Sequence, residues 1–353
     1  MTEVPAALRE LLGAHGPSGY EEAPAAVFRR HAEAFGAEVA GDTVASSVAR
    51  VKGTGDGPRV AVVGHIDEIG VIVTYVDDEG YLWFAGVGGW DPIVLIGQRL
   101  VLATKDGPVA GVVGRKPIHL LKDDDRKKVP ELKELHIDIG AKDGDEARAL
   151  VRVGDVAVIA GDPVELPNDR LVARSLDNRL GCFVALEAAR LVSEAGGAPG
   201  DVHAVAVAQE EIAGAGGPTT AYSLRPDVAI VVDVTHATDV PGVEERQQGS
   251  HPLGSGPVLG RGTTLHPLVF ERLHAAAEAE GIGVTIEASG RGTFTDADSF
   301  HLSRGGIPTG LVSIPLRYMH SPAELVQMSD VHDAARLIAA FCRALEPGTS
   351  FAR

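Results

Sequence analysis

The stretch VHAVAVAQEEIAGAGG (202–217) decides the fold. Its apolar run reads as a core strand covered on both faces, yet it ends on two adjacent glutamates and a glycine-rich turn. The same design recurs elsewhere. RVAVVGHID (59–67) is an apolar run that ends on His65 and Asp67. DVAIVVDVTHATD (227–239) carries Asp233, with His236 and Asp239 beyond it, and IPTGLVSIP (307–315) leads into a segment with His320. Between these runs, apolar residues recur at helical spacing in 4–15, 20–35, 177–196, 268–281 and 329–346. Strands alternating with helices predict an α/β fold, a mostly parallel, doubly wound sheet with helices on both faces.

From about 71 to 165 the texture changes. Short β-branched runs such as GVIVTYV, RLVLAT and VAVIAG are separated by DDEG, KDG and GD turns, which predicts an inserted β-rich, barrel-like domain. The charged segment 117–140 inside it reads as a surface excursion or short helix. The predicted division is therefore a catalytic domain of 1–70 and 166–353 and an inserted domain of 71–165.

Bulk properties narrow the function. A net charge of −17 over 353 residues argues against a nucleic-acid partner, which needs a basic surface. No run reaches the roughly 20 apolar residues of a membrane span, and the N-terminus does not read as a signal peptide. Cys182 and Cys342 lie among apolar residues, as buried thiols in a reducing cytoplasm do. GSGPVLG (254–260) is not a dinucleotide loop, because a proline interrupts it and no clear strand precedes it.

In an open α/β sheet, functional groups gather beyond the C-terminal ends of the strands. Reading those ends gives His65, Glu210, Glu211, Asp233 and His320. Asp177 opens a helix leaving the same edge. Two imidazoles and three carboxylates suffice for two neighbouring divalent ions if one carboxylate is shared. Nitrogen and oxygen donors without thiolate suit zinc, cobalt or manganese. Of the adjacent glutamates, one can bind metal while the other takes a proton from the attacking water; spacing alone leaves open which does which.

The ordered motifs GHIDEIG, SLDNRLG, AQEE, VVDVTHATDVPG, GTFTDADSF and IPLRYMHSPAELV, with the segment 115–141, resemble those of the cytosolic di-metal aminopeptidases of glutamyl and deblocking type, which assemble as tetrahedral dodecamers. The likeness runs through most of the chain. It implies His65, Asp177 and Asp233 on one ion, and Asp177, Glu211 and His320 on the other, with Asp177 shared. It further implies Glu210 as general base, Asp67 as the carboxylate behind a ligand imidazole, zinc or cobalt ahead of manganese, short peptides as substrates, and an inserted domain that helps subunits assemble. It departs at one place: an arginine usual after the glutamate pair is missing from IAGAGG. Segments 236–256 and 291–300 are expected to line the substrate pocket. Three other readings compete, and one of them, a carboxypeptidase or amino-acid deacylase of the same wider clan, is disfavoured by the segment KPIHLL…HIDIG, since such enzymes usually carry a different inserted domain. A cellulase-type glycosidase would flank one bond with two carboxylates, but only two tryptophans, both in the insertion, are available to line a sugar site. A non-catalytic assembly protein would have no use for Glu210.

Overall fold

A computed structural model describes residues 4–352. The centre of its 11-stranded sheet is four parallel strands in the order Val202–Val207, Val60–His65, Val228–His236, Thr309–Arg317. The doubly wound α/β core is as expected, but its margins are antiparallel. The hairpin Glu38–Gly41/Ser47–Val51 extends one side. Glu324–Gln327, Arg170–Ala173 and Val164–Leu166 extend the other. These marginal strands are only three to five residues long.

Strand alternation divides the core. Val60 and Val62 pack with the helices Leu176–Glu194, Pro267–Glu280 and Met328–Arg343. Ala61 and Val63 face the other way, toward Ala221, Ala297 and Phe300 of Gly216–Leu224 and Asp296–His301. A period of two thus covers both faces of one strand. Small residues let the layers close. A Cβ on Gly64 would lie 2.3 Å from the Gly181 carbonyl carbon, so strand and helix backbones meet where GHIDEIG and SLDNRLG each place a glycine.

The insertion is a closed six-stranded barrel between Gly70 and Ile159 with its own core, including Val71, Leu82, Phe84, Leu100, Leu102 and Ile137. Val164–Leu166 already belongs to the large sheet, so the barrel strands stop short of residue 165. The segment 117–140 contains three short 3₁₀ turns, but its end, His136–Asp138, is a barrel strand pairing on both sides. Three residues are too few for alternation to show in the sequence. Among the described residues, no helix is long and apolar enough to cross a membrane.

Candidate metal centre

The strand Val60–His65 is flanked by Val202–Val207 on one side and by the next strand of the chain, Val228–His236, on the other, so the strand order reverses across it. A crevice opens at such a point. His65 ends the middle strand, and Asp233 stands on its neighbour beyond the last residue paired with it. Glu210 and Glu211 follow the third strand, and His320 follows the fourth.

The glutamates do not lie on the strand itself. Gln209 adopts a left-handed conformation (φ 59°), and Glu210–Ala213 forms a single helical turn. This turn brings both carboxylates to one cleft, which a continuing strand would not allow. Asp67 holds the turn: its carboxylate accepts from the backbone N–H of Glu210 at 3.0 Å and of Glu211 at 3.1 Å, and from the Ser18 hydroxyl at 2.6 Å. Its oxygen stands 3.4 Å from Nδ1 of His65. Asp67 therefore fixes the glutamate pair at least as firmly as the imidazole behind which it was expected.

Asp177 presents its two oxygens to different histidines. Oδ1 lies 3.0 Å from Nε2 of His65, and Oδ2 lies 3.4 Å from Nε2 of His320. Nε2 of His320 is also 3.4 Å from Oε1 of Glu211. Donor atoms of His65, Asp177 and Asp233 converge within 4.8 Å of one another, as do those of Asp177, Glu211 and His320. All five side chains named from the strand and helix ends thus meet, together with Glu210, whose Oε2 stands 3.9 Å from Nε2 of His65. Positive φ at Ser175, Gln209 and His320 concentrates backbone strain around these residues.

One contributor escaped the sequence reading. Glu324 is buried, and its two oxygens accept the backbone N–H groups of Asp177 and His320, at 3.0 Å each. A carboxylate opening the apolar run ELV was the available signal. The barrel also takes part: Nδ1–H of His320 donates to the Gly89 carbonyl at 3.0 Å, which leaves Nε2 facing the acids.

The donor set calls for positive charge at its centre. Burial pushes Asp233 well above the ordinary carboxylate range, opposed by His65 and reinforced by Asp177 and Glu210. Burial also acts on Asp177, but hydrogen bonds from His320 and His65 outweigh it and hold that group well below the range. Hydrogen bonds to Asp177 and Glu211 raise His320 to about 11. Four carboxylates packed against two imidazoles fit divalent cations, which neutralise such a cluster without protonating it.

The cluster forms one wall of a cavity of about 370 Å³. Thr293, Phe294 and Thr295 from the segment 291–300 line it, whereas His236 is the one lining residue from 236–256. Fold and cluster together define a metal-dependent hydrolase. Residues 45–337 match the M42 glutamyl aminopeptidase family, and the chain belongs to that family. A TET aminopeptidase from a marine-sediment archaeon of the Thaumarchaeota is 35% identical, with a TM-score of 0.91 over 96% of each chain. A Pyrococcus horikoshii peptidase, described as assembling into a tetrahedron or a large octahedral shell, is 30% identical, with a TM-score of 0.84 over 96% of this chain and 99% of that one. The lysyl aminopeptidase of Pyrococcus furiosus is 33% identical over 88% of each chain. The protein is a metal-dependent aminopeptidase, and the glycosidase reading is not favoured.

Proposed function

We propose that the protein removes N-terminal residues from short peptides with two divalent ions, His65, Asp177 and Asp233 holding one and Asp177, Glu211 and His320 the other. The carrying observation is the pair of three-residue clusters that share Asp177. Zinc and cobalt suit this donor set ahead of manganese. When bound, such ions acidify the attacking water and polarise the scissile carbonyl.

The chain's own residues do the rest. Glu210 takes the proton from the water and returns it to the leaving amine. Burial pushes its carboxyl up to about 7, opposed by His65 and reinforced by Glu211, Asp177 and Asp67. With the cluster holding divalent ions, the Glu210 carboxyl would be held ionised, as a base must be. Asp67 fixes the backbone that carries Glu210, and Glu324 and the Gly89 carbonyl keep Asp177 and His320 in place.

Association into a homo-oligomer through the barrel completes the reading, with a dodecamer the expected form. Tyr75, Ile93, Val112, Ile118, Leu120, Val129 and Val153 are all large, apolar and exposed within the insertion. These residues are the apolar surface through which the barrel would associate. We place the enzyme in the cytoplasm, where its buried free thiols stay reduced.

The test combines metal analysis with turnover. Purified protein should carry two divalent ions per chain and hydrolyse aminoacyl p-nitroanilides. Chelation should abolish activity, and zinc, cobalt or manganese should restore it. Absence of bound divalent metal after reconstitution would refute the proposal. The relatives are named for glutamyl and for lysyl substrates, so names alone do not choose the N-terminal residue.

A further inference from the structure

We infer that Glu287 makes the catalytic pocket select substrates whose N-terminal side chain is cationic, lysine or arginine; the inference rests on the aminopeptidase reading above. Away from the metal cluster, the cavity wall is formed by Thr235, Glu287, Ser289, Phe294, Ser313 and Met319, among others. Among the described lining residues none is lysine or arginine, and Glu287 is the only carboxylate outside the cluster. His236 also lines the cavity but is exposed to solvent, where its influence is screened.

The position of Glu287 is built rather than incidental. It shares a face of the strand Thr285–Ser289 with Ser289, two residues on, and both line the cavity. Its Oε1 accepts the Thr235 hydroxyl at 3.1 Å. Thr235 is buried and stands on the same strand as Asp233, two residues farther along and on the same face, about 7 Å away at the usual strand rise. The Thr235 hydroxyl therefore anchors the Glu287 carboxylate on the wall of the cavity that the metal cluster also lines.

A substrate held with its first carbonyl at the cluster extends its first side chain along this wall. A lysine or arginine ends its stem against the Glu287 carboxylate and gains a charge-assisted hydrogen bond. Its methylenes pass the apolar surfaces of Phe294 and Met319; Phe294 is 89% exposed at the cavity wall, its backbone held at φ 58° by the Asp298 carboxylate, which accepts its N–H. A glutamate or aspartate side chain would meet like charge with no cationic partner on the wall. The residue that binds the side chain thus runs against the glutamyl label of the family.

The experiment compares kcat/KM of the metal-loaded full-length enzyme on lysyl, arginyl, norleucyl and glutamyl p-nitroanilides. Norleucine matches the lysine stem without the ammonium. Lysyl and arginyl substrates should exceed norleucyl by about tenfold or more, the worth of one charge-assisted hydrogen bond. Glu287→Gln should collapse the lysyl-to-norleucyl ratio, with circular dichroism and thermal unfolding reporting that the variant is folded. Glu287→Lys should gain glutamyl activity, which no unfolding can produce. A wild type that cleaves norleucyl or glutamyl substrates as well as lysyl ones, or a ratio unmoved by Glu287→Gln, overturns the inference and leaves the aminopeptidase reading standing. Turnover of none of the four substrates overturns both.

Discussion

In the proposed reaction, Glu210 is the side chain on which the chemistry turns. Replacing it with glutamine keeps its size and removes its basicity. We expect kcat to fall about 10²–10⁴-fold, the usual range for a general base, while elemental analysis finds the metal content unchanged. Asp296 makes a different prediction. It is buried beside Gly217, where an added Cβ would lie 2.5 Å from its Oδ1, and burial raises its carboxyl from 3.8 to about 8. The folded state therefore keeps this proton at pH values where the unfolded chain has lost it. Its contribution to stability is intact below the unfolded value and disappears as pH rises toward about 8. Urea unfolding across that window should show wild type losing stability relative to Asp296→Asn, and parallel curves would contradict the assignment. Cys182 and Cys342 are predicted to be inert. Burial pushes both thiols up to about 12, so a thiol reagent at neutral pH should label neither until the protein is unfolded.

At the scale of elements, the close approach of Gly64 and Gly181 sets how far the helix Leu176–Glu194 stands from the strand Val60–His65. A methyl group on Gly181 would lie 2.4 Å from Asn178 Oδ1 and 2.7 Å from the Val232 carbonyl oxygen. Gly181→Ala should cost about 1–3 kcal/mol, the typical penalty for overfilling a packed interior, read as a lower urea midpoint with unchanged slope. The elements of this core were legible in the sequence because their patterns are long. The strands Val202–Val207 and Val228–His236 are buried along nearly their whole length, and the apolar runs say so. The polar residues at their ends were legible for the same reason, since an acid or imidazole contrasts sharply with an apolar run. Short elements were harder to read. His136–Asp138 and Val164–Leu166 have three residues each and are defined by their partners, not by their own composition. Glu324 left only one mark, a carboxylate opening the apolar run ELV, because the two backbone N–H groups that it holds come from separate parts of the chain and set no spacing. The geometry of the glutamate pair was hidden, because a left-handed Gln209 has no compositional mark.

For the whole molecule, the barrel is expected to govern association and the sheet to govern chemistry. Ile118 and Leu120 are more than 60% exposed and lie two residues apart on the insertion. Replacing both with aspartate should lower the assembled mass seen by light scattering. If mass and activity are both unaffected, the interface lies elsewhere. The two parts nonetheless meet at the candidate metal centre. The Gly89 carbonyl, in the loop after the barrel strand Leu82–Val87, receives the outer proton of the His320 imidazole. A single peptide oxygen from the appended module sets which nitrogen of that ring is free to serve the reaction. The insertion therefore cannot be exchanged for an unrelated module without supplying an acceptor at that point. A chimera that keeps every acid and imidazole but loses this oxygen should assemble its sheet correctly and still carry a histidine turned to the wrong tautomer.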